Sequence, residues 1–164
     1  MGDHPNKVNV AELEWEKREH GELFGAEQKR LALRSGGEKL GCSLFRVPPG
    51  KTAFPAHLHH TNEEALFILS GQGTLRLGDA EIPVGEGDYV TLPAGGPAHQ
   101  LLNRSGAMLE YLCLSTMISP EVAEYPDSGK IGVMVAGATP DPAKRKIWKI
   151  FKKGSDVEYY EGEG

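Results

Sequence analysis

GKTAFPAHLHHTNEEALFILSG, residues 50–71, carries three of the chain's six histidines within four positions, then a glutamate pair and an apolar run. His57 and His59 stand two apart, and in an extended strand side chains at i and i+2 share a face. A rise of about 3.3 Å per residue sets them about 7 Å apart along the strand. Imidazoles leaning inward from there can meet on one ion, at bonds of about 2.0–2.1 Å for zinc. Glu64 opens the apolar segment 65–69 and can bring a carboxylate oxygen from a neighbouring strand. Gly71 closes that strand where a turn needs positive φ or a tight approach. His60 has the opposite parity to His59, which turns it outward and leaves it as the alternative ligand. Glu63 competes with Glu64 in the same way. The stretch reads as half of a metal site.

The other half is GDYVTLPAGGPAHQLLN, residues 87–103. A short strand over 89–92 runs into a Pro-Ala-Gly-Gly-Pro turn, and His99 opens a second strand toward Asn103. His99 supplies the fourth ligand. Together the two stretches resemble the paired motifs of the cupin superfamily. Its first motif is a glycine, His-x-His, a short spacer, a glutamate, six residues and a glycine; here His57, His59, Glu64 and Gly71 match it. The second motif is matched by Gly87, Pro93, Gly95, His99 and Asn103. Two departures exist: six residues rather than five separate Gly50 from His57, and three rather than two separate Gly95 from His99. Both fall in turn sequence, where an insertion leaves strand register intact. The six-residue spacing to Gly71 favours Glu64 as ligand over Glu63, which becomes a rim carboxylate. The resemblance spans about residues 40–116 and implies an all-β, double-stranded β-helix (jelly-roll) barrel.

Composition agrees. Glycine stands at 21 of 164 residues and proline at 11, the punctuation of many short strands and tight turns. One domain is expected, with an N-terminal arm over 1–26, the barrel over 27–136 and a C-terminal arm over 137–164. A net charge of −5 argues against nucleic acid as a partner. Cys42 and Cys113 read as reduced, buried thiols. The absence of an apolar N-terminal run or any segment of membrane length predicts a cytoplasmic protein with no membrane partner.

Taken in order, residues 1–26 hold scattered anchors, Trp15 and Phe24 among them, for docking on the barrel or a partner subunit. Strands are expected over 29–33 and 39–47 around Ser35-Gly36-Gly37. Gly50-Lys51-Thr52 imitates the tail of a phosphate loop, but Phe45 stands where its first glycine belongs, so the reading fails. Strands over 73–77 and 80–84 flank a Gly78-Asp79 turn, a hairpin signature, and 107–115 is another strand. The count reaches eight to ten. A short strand over 131–136 precedes a loop over 137–142. Residues 144–153 are basic and aromatic, and an acidic tail follows them. Trp148 and Phe151 are read as covering an apolar patch on the barrel or on the second subunit of a homodimer.

Three neutral imidazoles and one carboxylate leave a divalent ion with net charge +1, and an octahedral ion keeps two positions open. The set suits Fe, Mn, Ni, Co or Zn, acting as Lewis acid or water activator. Asn103, Gln100 and Tyr111 are candidates for orienting the ligands. In form, the chain looks most like small cupins assigned as sugar-phosphate isomerases. That resemblance implies a small polar metabolite, proton transfer between adjacent carbons, and Glu63 as the candidate catalytic base. Arg46, Lys51 and Arg76 are the cations considered for a phosphate. An Fe(II)-dependent dioxygenase and a non-catalytic ligand-binding or regulatory module are the alternatives.

Overall fold

Short runs of branched and aromatic residues between glycine and proline turns make this chain almost wholly strand. The computed structural model describes residues 4–137 and 141–164. Its strands are β1 (Glu16–His20), β2 (Phe24–Arg30), β3 (Leu40–Val47), β4 (Leu58–His59), β5 (Glu64–Ser70), β6 (Gln72–Leu77) and β7 (Ala80–Gly85). They continue with β8 (Tyr89–Leu92), β9 (His99–Leu102), β10 (Leu109–Thr116), β11 (Glu121–Tyr125), β12 (Lys130–Val135) and β13 (Ile147–Lys152). A six-stranded sheet runs β1-β2-β3-β10-β5-β8. A four-stranded sheet runs β13-β12-β11-β4, and a three-stranded one β7-β6-β9. Every named strand pair is antiparallel. This is a double-stranded β-helix, the fold that the resemblance of the two motifs implies.

Register decides which residues meet inside. On the six-stranded sheet, Gln28 lies opposite Phe45, Phe45 opposite Tyr111, and Glu64 opposite Ser115. Because alternate residues share a face, Gln28, Phe45, Tyr111, Leu66 and Glu64 all point to the interior. Phe45 and Tyr111, each 2% exposed, stack with ring centroids 5.3 Å apart. Val47, Ile68, Leu75 and Leu109 fill the closed end of the barrel.

The described residues hold thirteen strands, more than the eight to ten expected. Part of the difference is the hairpin of β1 and β2, within sequence that shows no sustained period. The strand expected over 29–33 instead ends at Arg30, and Leu31–Arg34 forms one helical turn, α1. Ser35 stops it there: its N–H and hydroxyl both donate to the Leu31 carbonyl. At the other end, 144–153 contributes β13, an edge strand exposed at every position. Phe151 is 48% exposed, so it does not cover the barrel as expected. Residues 138–140 of the loop expected over 137–142 lie outside the described residues.

Two motif positions turn out to be structural. Gly71 has φ of 83°, and a Cβ there would sit 2.3 Å from the Met108 carbonyl oxygen. Both the left-handed backbone and the clash penalise any side chain. Gly71→Ala is expected to cost about 2–4 kcal/mol, read as a lowered urea midpoint with an unchanged m-value. Asn103 is fully buried; its amide donates to the carbonyls of Val47 and Ala107, both at 2.7 Å. It clamps the chain behind the site and orients no ligand.

Candidate metal centre

The motif histidines reach the interior because backbone pairing carries them there. His57 and His99 form an antiparallel bridge in which each N–H donates to the other's carbonyl, at 3.1 and 2.8 Å. His59 sits in the two-residue β4, paired with Ala123 of β11, while its carbonyl accepts from Gly95 N–H at 2.7 Å. Gly95 adopts φ of 69°, a turn that brings the second motif beside the first. Glu64 comes from the facing sheet.

Three imidazole nitrogens converge on one carboxylate oxygen. The Nε2 atoms of His99, His59 and His57 lie 3.2, 3.6 and 3.9 Å from Glu64 Oε2. Donor atoms of His57, Glu64 and His99 all fall within 4.8 Å of one another, a group that can hold a metal ion. His59 approaches the same carboxylate oxygen but is not one of that group. The chemistry of the set fits an ion. His57 Nδ1 lies 2.8 Å from the Pro55 carbonyl; as donor there it leaves Nε2 with its lone pair toward the centre. His59 Nδ1 is buried without a hydrogen-bond partner, 3.8 Å from Glu121 Oε1.

Electrostatics favour the ligand forms. Burial, reinforced by the facing His99, pushes the His57 imidazole down to about 4. Burial alone would raise the Glu64 carboxyl; the hydrogen bond from His99 and the charges of His59 and His57 outweigh it and hold the group below its usual range. An imidazole on the unfolded chain titrates near 6.5. Between that value and about 4 the unfolded chain binds a proton that folded His57 refuses, so stability falls as pH drops through this window. Ion-stripped protein is expected to lose about 2–3 kcal/mol between pH 6.5 and 4 through this residue. Thermal melts of His57→Gln should show a shallower acid slope; an identical slope would refute the assignment.

The other sequence-predicted residues separate into two groups. Gln100 and Tyr111 line the cavity around the centre, Gln100 donating to the Phe54 carbonyl at 2.9 Å. His60 is exposed and bonded to Glu124 at 2.9 Å. Glu63 is exposed as well, its N–H donating to Thr116 Oγ1, and its side chain does not border the cavity. The cations weighed for a phosphate are engaged elsewhere: Arg46 with Glu110 at 2.7 Å, Lys51 with the Glu22 carbonyl, Arg76 with Asp127 at 2.6 Å. Cys42 and Cys113 are free thiols, both raised by burial.

Sequence reasoning missed two residues. Glu121, 3% exposed, accepts from the backbone N–H groups of His60, Thr61 and Asn62 at 3.1, 3.2 and 2.8 Å. Tyr125 stacks on His57 with ring centroids 6.1 Å apart. Both arrive on β11, which no motif marks. The centre opens into a cavity of about 760 Å³ lined from all three sheets, with the Phe45, Phe54 and Leu66 side chains among its apolar walls.

A double-stranded β-helix whose sheets close around a His-x-His, Glu and His constellation is a cupin-type barrel in form. Residues 43–115, somewhat less than half of the chain, match the family model of the Cupin domain. An uncharacterized protein of Methanocaldococcus jannaschii is 35% identical over 79 residues, covering 48% of this chain and 62% of that protein. The match thus spans less than two thirds of that relative's length. Among solved structures, an assigned sugar phosphate isomerase from Acidithiobacillus ferrooxidans superposes with a TM-score of 0.80 at 24% identity. It covers 94% of this chain and 96% of its own. A sugar phosphate isomerase of the cupin superfamily from Silicibacter pomeroyi gives 0.76 at 24% identity, covering 93% and 97%. An assigned oxalate decarboxylase from Thermotoga maritima gives 0.60 at 22%, covering 68% and 99%. At these identities the likeness establishes the fold. Among the described residues, no helix is long and apolar enough to cross a membrane.

Proposed function

We propose that this chain is a metal-dependent isomerase of a small sugar or sugar phosphate, with His57, His59, Glu64 and His99 holding one divalent transition-metal ion. The observation that carries this reading is the convergence of three imidazole Nε2 atoms on Glu64 Oε2 at the base of a metabolite-sized cavity. The names of the Acidithiobacillus and Silicibacter neighbours support the same class of substrate. Bound there, the ion supplies Lewis acidity toward a carbonyl or hydroxyl oxygen. The chain's own residues do the rest. Pro55 fixes the His57 tautomer, the apolar walls exclude water, and Glu121 anchors the loop that presents His59. Proton transfer between neighbouring carbons falls to groups bordering the cavity rather than to Glu63. A homodimer is part of the proposal, the exposed Ile147, Trp148, Ile150 and Phe151 of β13 offering its contact surface; light scattering showing a monomer at high concentration would end that part.

The test is metal analysis followed by turnover. Protein purified without a metal-affinity column is loaded with Mn, Fe, Co, Ni or Zn. Each form is incubated with a panel of aldose and ketose phosphates and their unphosphorylated sugars, and hydrogen exchange at the carbon next to the carbonyl is followed by NMR. Metal-dependent exchange supports the proposal. Oxygen consumption by the iron form without exchange would replace it with a dioxygenase, and ligand binding without turnover with a regulatory module.

A further inference from the structure

The cavity has a second polar zone away from the histidines, made of three arginines: Arg18, Arg30 and Arg145. Register explains two of them. Arg18 lies opposite Ala26 in the β1–β2 pair, and Ala26, Gln28 and Arg30 share one face of β2. Gln28 borders the cavity, so Arg18 and Arg30 project from the same floor. Arg145 arrives from the chain's other end, just ahead of β13. Thus segments on either side of the motif pair meet at the cavity mouth, and each brings a guanidinium.

Their partners are unusual. Among the described residues only Arg30 of the three is in an ion pair, with Glu16 at 2.8 Å. Arg145 lies over the Trp148 ring at 4.9 Å and Arg18 over the Phe54 ring at 5.8 Å. Asp141 also borders the cavity, but its carboxylate accepts from Ala143 N–H. Burial first, then the charges of Arg30 and Arg18, lowers the Arg145 guanidinium; Arg18 is lowered by burial and then by Arg30. Like charges gathered in one cavity repel unless an anion joins them, and such frustration is a mark of binding sites. Guanidinium forks match phosphate oxygens in pairs.

Spacing also fits one elongated ligand. Arg30 on β2 and Glu64 on β5 are separated by β3 and β10. Three steps of about 4.8 Å across the sheet and a two-residue offset along it, since Arg30 is in register with Leu66, place their backbones about 16 Å apart across a single cavity face. An anionic group at one end of a metabolite can reach the arginines while its other end reaches the histidines.

We propose that Arg18, Arg30 and Arg145 form an anion subsite that holds the phosphate of a phosphorylated small metabolite whose opposite end lies at the His57–Glu64–His99 centre. The proposal rests on the metabolite-isomerase reading of the cavity and narrows its substrate to the phosphorylated class.

Isothermal titration of the 164-residue protein with inorganic phosphate tests it, as purified and after chelation. Binding to wild type is expected in both states, weakened at least 10-fold in the Arg18→Gln/Arg145→Gln double variant. It should be unchanged in Arg104→Gln, whose arginine pairs with Glu81 on the surface. If the double variant does not fold, Arg18→Gln alone, at the exposed rim, should still weaken binding several-fold. Equal phosphate affinity in wild type and the arginine variants would overturn the subsite, as would absence of phosphate binding to wild type. Malonate serves as the carboxylate probe, and tighter binding of malonate than phosphate would overturn the phosphate assignment. The two readings fail separately. Arginine-dependent phosphate binding without carbon-bound hydrogen exchange would sink the isomerase and keep the subsite. Exchange on unphosphorylated sugars as fast as on phosphates, untouched by the arginine variants, would do the reverse.

Discussion

His99→Ala is expected to abolish metal retention. His99 is 7% exposed, and its Nε2 is the closest of the three imidazole nitrogens to Glu64 Oε2. The variant leaves two imidazoles and a carboxylate, and removes the donor that holds Glu64 ionised. Losing an outer-shell partner of a metal ligand costs about 10–100-fold in affinity; loss of a ligand should exceed that. Elemental analysis is expected to find near one equivalent of metal in wild type and a trace in His99→Ala. His60→Ala is the control, because that imidazole bonds Glu124 on the outside and should leave the metal content unchanged. Equal loss from both variants would show that the ion, if held, is held elsewhere.

Glu121→Ala is expected to damage both the fold and the centre. One buried carboxylate accepts three consecutive backbone N–H groups and the side-chain amide of Asn62. Truncation leaves those donors facing an apolar gap, at a cost of about 3–5 kcal/mol. The same segment carries His59, so metal affinity should also fall, by about 10–100-fold. Urea unfolding and competitive metal titration give the two readouts. Glu121→Asp, which keeps the charge on a shorter stem, should recover part of each. Wild-type stability in Glu121→Ala would refute the anchoring role.

The grouping of His57, Glu64 and His99 was legible because each motif is short and the resemblance to the paired cupin motifs joins the two segments; strand alternation alone accounts only for His57 and His59 sharing a face. Asn103 was read at the right position but in the wrong role, since whether a buried amide meets a ligand or two carbonyls depends on the loops around it. Glu121 was invisible: its value comes from pairing β11 against β4 about sixty residues away, and nothing local distinguishes it from a solvated glutamate. The cations failed for a related reason. Arg46, Lys51 and Arg76 lie nearer the motifs, yet the carboxylates of Glu110 and Asp127 and a backbone carbonyl engage them. Arg18 and Arg145, distant in sequence, are brought to the cavity by the sheet order. The helical turn at Leu31–Arg34 was lost to its apolar composition, which strand and helix share over four residues.

The bridge between His57 and His99 has a consequence for how such a barrel can diversify. The spacing of these two histidines is fixed by a pair of main-chain hydrogen bonds, which residues other than proline at the two positions can still make. Most of the cavity floor, by contrast, is side chains of β1, β2, β3 and β10, none of which supplies a ligand. Inheritance of the ion-holding frame and inheritance of ligand choice are therefore separable. Substitutions on those strands can retune what enters the barrel while the histidine frame stays in place.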